Sequence, residues 1–262
     1  MKIDTGTRAL VTGASKGIGR GIAEALAARG AAVGLVARGV DEALAAALGP
    51  RTRALAADVG EREQIEDAVA RYVAATGGLD LLVANAGVAD YGPFAGQDPE
   101  QHERMVRINV LGTINTVRAA LPHLRSAGRG HIAIVSSGAA LRAFPDGAVY
   151  GATKAAQRAF AEALRHELAG TGVSVTTVYP GEIASELHAH QKGEMPAWYH
   201  GGDRAADPAK LAAAVLEGIE HDRRTVAYPR EVRLLALNAL APRAVDALLR
   251  RLRGPTAAPR RG

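Results

Sequence analysis

The sequence predicts a doubly wound α/β fold, with one parallel β-sheet between two layers of helices in a single domain. Three observations support this prediction. Short apolar runs alternate with longer amphipathic stretches along most of the chain. Most of the runs lack polar positions, as is typical of strands buried on both faces of a parallel sheet. The length of 262 residues and the hydrophobic content of 48% suit one such unit with a substantial core.

Seven strands and seven helices are predicted in alternation, joined by right-handed crossovers. The strands are expected near residues 8–12, 32–37, 53–57, 80–84, 131–136, 173–178 and 225–228. The helices are expected near residues 16–29, 40–48, 61–75, 100–126, 148–170, 208–221 and 231–251. Pro242 is expected to divide the last of these into two short helices, because proline lacks the N–H that a helix interior needs.

A glycine-rich loop follows the first strand and precedes a helix rich in Ala and Leu. Gly13 permits a tight turn, Gly17 lets the backbone approach a pyrophosphate, and Gly19 lets the helix pack on the strand. The helix N-terminus offers N–H groups and a positive dipole end to phosphate. Because a strand precedes the loop and a helix follows it, a dinucleotide site is favoured over a turn without a ligand. The loop consists of Gly13, Ala14, Ser15, Lys16, Gly17, Ile18 and Gly19.

The end of the second strand indicates which dinucleotide is bound. A carboxylate at this turn usually holds the ribose 2′-hydroxyl of NAD. Here the strand ends in Ala37 and Arg38, and a guanidinium can pair with a 2′-phosphate. Lys16 adds a second cation nearby. The sequence therefore predicts a preference for NADP(H), with NAD(H) as the other cofactor; the alternative for Arg38 is a solvated turn residue.

Three polar residues predict a proton-transfer site. Tyr150 and Lys154 are four residues apart on a predicted helix, so both side chains can face one cleft. A tyrosine side chain has a pKa of about 10, and an adjacent lysine is expected to lower that pKa. Ser137 follows the apolar run 131–136, at the carboxyl end of a strand, where open α/β sheets bind ligands. Taken alone, the Tyr–Lys pair favours a chance pair on a solvated helix surface over a proton-transfer site.

Together these motifs resemble the single-domain branch of the short-chain dehydrogenase/reductase family. Residues 12–19 match its T-G-x-x-x-G-x-G motif, and residues 85–87 match the last three letters of its N-N-A-G motif, with Ala84 in place of the first. Residues 180–185 match P-G-x-V-x-T, with Ser185 in place of the threonine. The resemblance implies a Rossmann-like fold. It also implies a catalytic tetrad of Asn109, Ser137, Tyr150 and Lys154.

The resemblance also implies roles for residues that the spacing alone does not assign. Asp58 would hold the adenine amino group, Lys154 would bind the nicotinamide ribose, and Asn109 would hold a water that links Lys154 to solvent. From the residues alone, a helix-kink asparagine bonded to the backbone is the preferred interpretation of Asn109. The implied cofactor-binding residues are Gly13, Ser15, Lys16, Gly17, Ile18, Gly19, Arg38, Asp58, Val59, Asn85, Ala86, Gly87, Tyr150, Lys154, Pro180, Gly181, Ile183 and Ser185.

The motifs and the resemblance predict an NADP(H)-dependent alcohol dehydrogenase or carbonyl reductase. Tyr150 would act as general acid and base, and Ser137 would steady the developing oxyanion. The alternative is a non-catalytic redox sensor or scaffold that binds a dinucleotide, but such a protein need not keep all four tetrad residues. The expected partner is a small carbonyl or alcohol. The resemblance implies a homodimer or homotetramer formed through the helices near 100–126 and 148–170.

Amino-acid composition excludes several other classes of protein. The chain has no cysteine, which excludes a disulfide framework, a thiol nucleophile and a cysteine metal site. No segment resembles a signal peptide or a membrane span, so a cytoplasmic location is expected. Five arginines and no acidic residue lie between 250 and 262, and they account for the whole net charge of +5. Residues 253–262 are therefore expected to be a flexible basic tail, without a nucleic-acid partner.

Two segments depart from the strand–helix alternation within the predicted domain, residues 1–252. Residues 186–207, rich in His, Gly and Pro, are predicted to form a substrate lid. Their histidines, His188, His190 and His200, lack a scaffolded set of carboxylates, so no metal site is expected. Residues 232–252 place leucines among arginines at helical spacing. We expect this amphipathic segment to pack on the protein rather than on an acidic membrane surface.

Overall fold

A seven-stranded parallel sheet forms the centre of the computed structural model, which describes residues 1–184, 187, 191, 195 and 205–253, apart from the side chains of 248–253. The strands are β1 Arg8–Thr12, β2 Ala32–Ala37, β3 Thr52–Ala56, β4 Leu81–Ala84, β5 Gly130–Val135, β6 Val173–Pro180 and β7 Thr225–Tyr228. Their order across the sheet is β3-β2-β1-β4-β5-β6-β7, and every neighbouring pair is parallel. The predicted fold class is thus confirmed.

Eight α-helices are described: α1 Gly17–Ala28, α2 Glu42–Leu48, α3 Arg62–Thr76, α4 Pro99–Met105, α5 Gly112–Ser126, α6 Ala148–Glu167, α7 Pro208–Glu220 and α8 Pro242–Arg253. They follow the predicted helices closely, with two differences. The helix predicted over 100–126 is divided into α4, a π-helical segment Val106–Leu111 and α5. The helix predicted over 231–251 begins as a 3₁₀ segment, Arg230–Ala239, and resumes as α8 at Pro242, the expected break.

The hydrophobic core lies in two layers because strand side chains point alternately to opposite faces of the sheet. On β1, Ala9 and Val11 pack with α1, α2 and α7, whereas Leu10 packs with α3, α5 and α6. The same alternation holds on β4, where Leu81 and Val83 join the first layer. Both faces of the central strands are therefore covered by helices, which explains their uninterrupted apolar sequence.

In this strand order the switch point lies between β1 and β4, because β2 and β3 are added on one side of β1 and the strands from β4 onwards on the other. Ligands bind in doubly wound folds at this switch point, outside the carboxyl ends of the strands. The glycine loop after β1 and the residues after β4 and β5 all meet at this edge. Within the described part of the chain, no helix combines the length and apolar character that crossing a membrane would require.

Candidate active site

A cavity of about 770 Å³ opens at the carboxyl edge of the sheet. Most of the predicted site residues line it. Asn109 and Gly19 do not, and Ser185 lies outside the described residues. The predicted residues that line the cavity are Gly13, Ser15, Lys16, Gly17, Ile18, Arg38, Asp58, Val59, Asn85, Ala86, Gly87, Ser137, Tyr150, Lys154, Pro180, Gly181 and Ile183.

The glycine loop has the geometry that its sequence predicts. Gly13 and Gly17 have φ angles of +67° and +58°, a region that favours glycine. A Cβ on Gly19 would lie 2.3 Å from the carbonyl oxygen of Gly13 and 2.4 Å from Nδ2 of Asn85. Gly19 therefore allows the start of α1 to pack against the loop itself. The three glycines bring backbone N–H groups and the N-terminus of α1 to the cavity wall.

Thr12 and Asn85 hold the loop against β4. The backbone N–H groups of Asn85 and Ala86 donate to Oγ1 of Thr12 at 3.0 and 3.1 Å. The side-chain amide of Asn85 donates to the carbonyl oxygens of Thr12 and Gly13 at 2.9 and 3.3 Å. Asn85 thus lines the cavity while its side chain fixes the shape of the loop, a role that the motif alone did not specify.

Charged residues surround the other end of the cavity. Arg38 is exposed and lies just beyond the carboxyl end of β2. Asp58, after β3, accepts a hydrogen bond from the backbone of Gly60 at 2.8 Å. Arg107, in the π-helical segment, lies 3.8 Å from Asp58 and 2.7 Å from Glu61. Arg107 also lines the cavity; it lies two residues before Asn109, but sequence reasoning assigned it no role.

Ser137, Tyr150 and Lys154 meet at this edge of the sheet, as predicted. Ser137 follows β5, and its hydroxyl is hydrogen-bonded to Tyr150. Tyr150 and Lys154 lie on one face of α6, with Nζ of Lys154 5.7 Å from the centre of the Tyr150 ring. Only 6% of Tyr150 and 4% of Lys154 are exposed. Tyr91 packs on the Tyr150 ring, with ring centres 5.5 Å apart.

The expectation of a lowered tyrosine pKa is wrong. Burial raises the pKa of Tyr150, and the hydrogen bond from Ser137 only partly opposes this. The same burial lowers the pKa of Lys154 to about 7. Removing water penalises both the phenolate and the ammonium, so the lysine loses part of the charge by which it was expected to favour the phenolate. At neutral pH Tyr150 is therefore protonated, as a proton donor must be.

Asn109 is fully buried in the π-helical segment. Its side chain accepts from the backbone N–H of Val88 at 2.8 Å and donates to the Val88 carbonyl at 2.9 Å and to Thr153 at 3.0 Å. These are the contacts expected if Asn109 is a helix-kink asparagine bonded to the backbone, the interpretation that the residues alone suggested. The side chain thereby ties the residues after β4 to α6, next to Tyr150 and Lys154.

Sequence reasoning missed Gln157 and the apolar wall of the cavity. Gln157 lies three residues after Lys154 on α6 and accepts a hydrogen bond from its Nζ at 3.0 Å. The i, i+3 spacing on one helix face was the signal that could have found it. The wall could not be read from the sequence, because its members come from four separate segments: Tyr91, Phe144, Leu187 and Leu235.

The predicted lid, residues 186–207, lies largely outside the described residues, as do His188, His190 and His200. Two of its residues that are described lie at the site. Leu187 lines the cavity, and Gln191 bonds the backbone N–H and carbonyl of Tyr91 at 2.9 and 3.0 Å. Over residues 1–184 and 205–253, together with the three isolated residues, no cluster of His, Asp and Glu is suited to hold a metal.

The C-terminal segment packs on the loop that follows Ser137. Val232 is buried beside Gly138, and Leu235 reaches the cavity. Arg142, in the same loop, donates to Asn238 and to Asp246, both at 2.6 Å. The described part of this segment therefore packs on the protein, as expected, although Leu234 and Leu240 remain exposed.

Comparison with known proteins identifies the family. The family model described as short chain dehydrogenase matches residues 7–195. This range holds the glycine loop, Ser137, Tyr150 and Lys154, and the chain belongs to the short-chain dehydrogenase family. The predicted resemblance is thereby confirmed.

Two relatives show the extent of the similarity. The chain is 40% identical over 195 residues to an uncharacterized oxidoreductase from Myxococcus xanthus, covering 72% of this chain and 76% of that protein. It is 39% identical over 189 residues to glycine betaine reductase ATRR from Emericella nidulans. That match covers 70% of this chain but 15% of the much longer fungal protein.

Two solved structures share the fold along most of the chain. A short chain dehydrogenase from Burkholderia cenocepacia in complex with NADP is 30% identical, with a TM-score of 0.75, covering 87% of this chain and 97% of that one. A 3-ketoacyl-(acyl-carrier-protein) reductase from Brucella melitensis complexed with NADH is 28% identical, with a TM-score of 0.78, covering 87% and 98%. The chain is thus an oxidoreductase of this family.

Proposed function

We propose that this protein is an NADP(H)-dependent oxidoreductase that interconverts a carbonyl compound and a secondary alcohol. One observation carries the proposal: Ser137, Tyr150 and Lys154 line the same cavity as the glycine loop and Arg38. A redox sensor would need the loop and the cation but not a buried, protonated tyrosine bonded to a serine. The arrangement thus favours catalysis over the sensor alternative.

The protein residues supply proton transfer and orientation. In the direction of reduction, the carbonyl oxygen accepts hydrogen bonds from Tyr150 and Ser137. Tyr150 gives its proton to that oxygen as negative charge develops, and Ser137 steadies the charge. In the direction of oxidation, Tyr150 takes the proton back. A nicotinamide cofactor, when bound, supplies or accepts the hydride.

The residues of the cavity fit a dinucleotide. A Cβ on Gly13 would lie 2.8 Å from Cα of Ala86, so glycine at this position lets the loop pack closely against the residues after β4. The N-terminus of α1, which follows the loop, then offers backbone N–H groups to a pyrophosphate. The first carboxylate after β2, Asp41, is engaged as the N-cap of α2, where it accepts from Leu44 at 2.8 Å. Arg38, in contrast, lines the cavity. An arginine at the cavity, together with a carboxylate that is engaged elsewhere, favours a ribose 2′-phosphate over a free 2′-hydroxyl.

The wall near Tyr150 favours a substrate whose other substituents are apolar and uncharged. Tyr91, Phe144, Leu187 and Leu235 form this wall. The guanidinium of Arg104, which also lines the cavity, contacts both carboxylate oxygens of Asp90 at 2.8–2.9 Å. Because that cation is already paired, it offers little to an anionic substrate. Pockets with apolar walls and few polar groups bind apolar ligands in a fixed orientation.

A carbonyl panel tests the function. With NADPH, we expect turnover of aryl alkyl and aliphatic ketones, and much slower turnover of keto acids of similar size. The measurement is NADPH oxidation, with NADP⁺ reduction by the matching alcohols as its reverse. If NADPH bound firmly but no carbonyl or alcohol reacted, the sensor alternative would replace the enzyme.

We also propose that the chain assembles into a dimer or tetramer. Three apolar side chains, Val106, Leu111 and Ile114, are 43%, 49% and 36% exposed along the π-helical segment and α5. Exposed apolar side chains on helices are suited to a symmetric contact with a second copy. Sedimentation equilibrium should give a mass of two or four chains, and Leu111→Arg should reduce it. A monomeric wild-type protein would contradict this proposal.

A further inference from the structure

We propose that Gln157 is a positioning residue, which holds the Lys154 side chain in place and links it to the backbone of Asn109. The proposal deepens the proposed function, because Lys154 belongs to that site. It rests on a chain of buried hydrogen bonds. Gln157 is 1% exposed and lies on α6, facing the π-helical segment and the start of α5.

The hydrogen bonds fix the orientation of the Gln157 amide. Its Nε2 donates to the carbonyl oxygen of Asn109 at 2.8 Å and to Oγ1 of Thr113 at 2.7 Å. The Thr113 hydroxyl donates its own proton to the same Asn109 carbonyl at 2.8 Å, so it can only accept from Gln157. Both N–H groups of the amide are thus used, and turning the amide over would bring its oxygen against two acceptors. The Oε1 atom must therefore face Lys154.

The ammonium of Lys154 meets this oxygen at 3.0 Å and the carbonyl of Val135, at the end of β5, at 3.3 Å. Gly87, in the loop after β4, also lies close to the ammonium: a Cβ added to Gly87 would be 3.4 Å from Nζ. The titratable side chain that faces Nζ is Tyr150, and no ion pair with Lys154 is found among the described residues. Two neutral oxygens therefore stabilise a buried ammonium that no carboxylate neutralises.

This arrangement has a chemical consequence for the site. A hydrogen bond to the charged form favours that form, so the Gln157 carbonyl opposes the effect of burial on Lys154. An amide does not titrate, so it gives this support at every pH. It also joins Lys154 to the Asn109 carbonyl through a side chain, where the family resemblance implied a water. Gln157 thereby keeps more of the positive charge that acts on Tyr150 than burial alone would leave.

Lysine NMR tests the proposal without any substrate. The chain has five lysines, Lys2, Lys16, Lys154, Lys192 and Lys210, so a protein labelled with ¹³C at the lysine Cε gives few signals, and Lys154→Met assigns the one of interest. We expect Lys154 to titrate with a pKa of about 7 in the wild type. In Gln157→Met, which keeps an unbranched side chain, the pKa should fall by about one unit. In Gln157→Glu it should rise, because a carboxylate would then face the ammonium.

A matched pair of threonine variants controls for general damage. Thr113→Val removes one anchor of the Gln157 amide, and it should lower the Lys154 pKa by less than Gln157→Met. Thr116→Val removes the equivalent buried hydrogen bond to a helix carbonyl, 2.7 Å to Gly112, without touching Gln157. It should leave the pKa unchanged. This pair also keeps the proposal testable if Gln157→Met does not fold.

The outcomes separate this proposal from the proposed function. A folded Gln157→Met protein with an unchanged Lys154 titration would overturn the positioning role and leave Gln157 as a space-filling residue. Equal shifts in the two threonine variants would also overturn it. A protein that shows the expected shifts but reduces no carbonyl would retain the positioning role while losing the proposed reaction.

Discussion

Replacing Tyr150 with phenylalanine should reduce kcat/KM for any ketone that the protein turns over by about 10²- to 10⁴-fold, the usual contribution of a general acid. The hydroxyl is held by Ser137 and is protonated at neutral pH because burial raises its pKa. Phenylalanine keeps the ring and its contact with Tyr91. The measurement is steady-state NADPH oxidation, with NADPH affinity determined separately by fluorescence titration. That affinity should change little, because the hydroxyl is not needed for the fold.

Tyr91→Phe is the matched control for this prediction. Tyr91 lines the same cavity and packs on the Tyr150 ring, with an interplanar angle of 57°. The control removes a hydroxyl from the pocket while leaving the proposed acid in place, so its effect on kcat/KM should be small. A Tyr150→Phe variant that matched the wild-type rate would remove Tyr150 from the reaction. A loss of equal size in both variants would point to packing instead.

The pH dependence follows from the same burial. The pKa of Tyr150 is raised and that of Lys154 is lowered to about 7. Unfolded lysine has a pKa of about 10.4, so between that value and about 7 the unfolded chain holds a proton at Lys154 that the folded chain does not. The free energy of unfolding therefore rises with pH across this window through this group, and it is reduced as pH falls towards 7. Burial of Lys154 therefore lowers the free energy of unfolding at neutral and acidic pH, so this position of the lysine does not serve stability.

Much of the fold could be predicted because local signals and tertiary packing agree. Strands such as β1, β2 and β4 are short apolar runs buried on both faces, so their positions followed from the hydrophobic pattern. The glycine loop was readable because Gly13 and Gly17 adopt φ angles that favour glycine. The division of the helix near 100–126 was not readable. Its π-helical segment depends on contacts of Asn109 with Val88 and Gln157, which lie far away in sequence.

The candidate site shows the same limit. Ser137, Tyr150 and Lys154 were predictable because each follows a recognisable strand or lies on a recognisable helix. Their pKa values were not, since these depend on how completely neighbouring segments exclude water from α6. The sequence correctly predicted that Lys154 lies beside Tyr150 on one face of a helix. It did not show that Lys154 would be too buried to keep its full charge, or that Gln157 would be the residue bonded to it.

Replacing Arg38 with alanine should weaken NADPH binding by about 10- to 100-fold while changing NADH binding little. Only NADPH carries the 2′-phosphate, and hydrogen bonds to charged groups contribute about 1.5–3 kcal/mol. Arg38 is exposed at the cavity beyond β2, and Asp41 is engaged at the start of α2. Its removal should therefore take away the principal cation at this turn without exposing a carboxylate to the ribose. Fluorescence titration with each cofactor measures both affinities.

Arg53→Ala is the matched control, because it removes the same charge from the neighbouring strand β3. Arg53 is exposed there and does not line the cavity. If Arg38 acted only by long-range attraction of the negatively charged NADPH, both variants would lose NADPH affinity. High salt would then abolish their difference from the wild type. A direct contact predicts a loss confined to Arg38→Ala that persists in salt. Equal losses for NADPH and NADH would instead exclude Arg38 from recognition of the 2′-phosphate, and the preference for NADP(H) would have to rest on Lys16 alone.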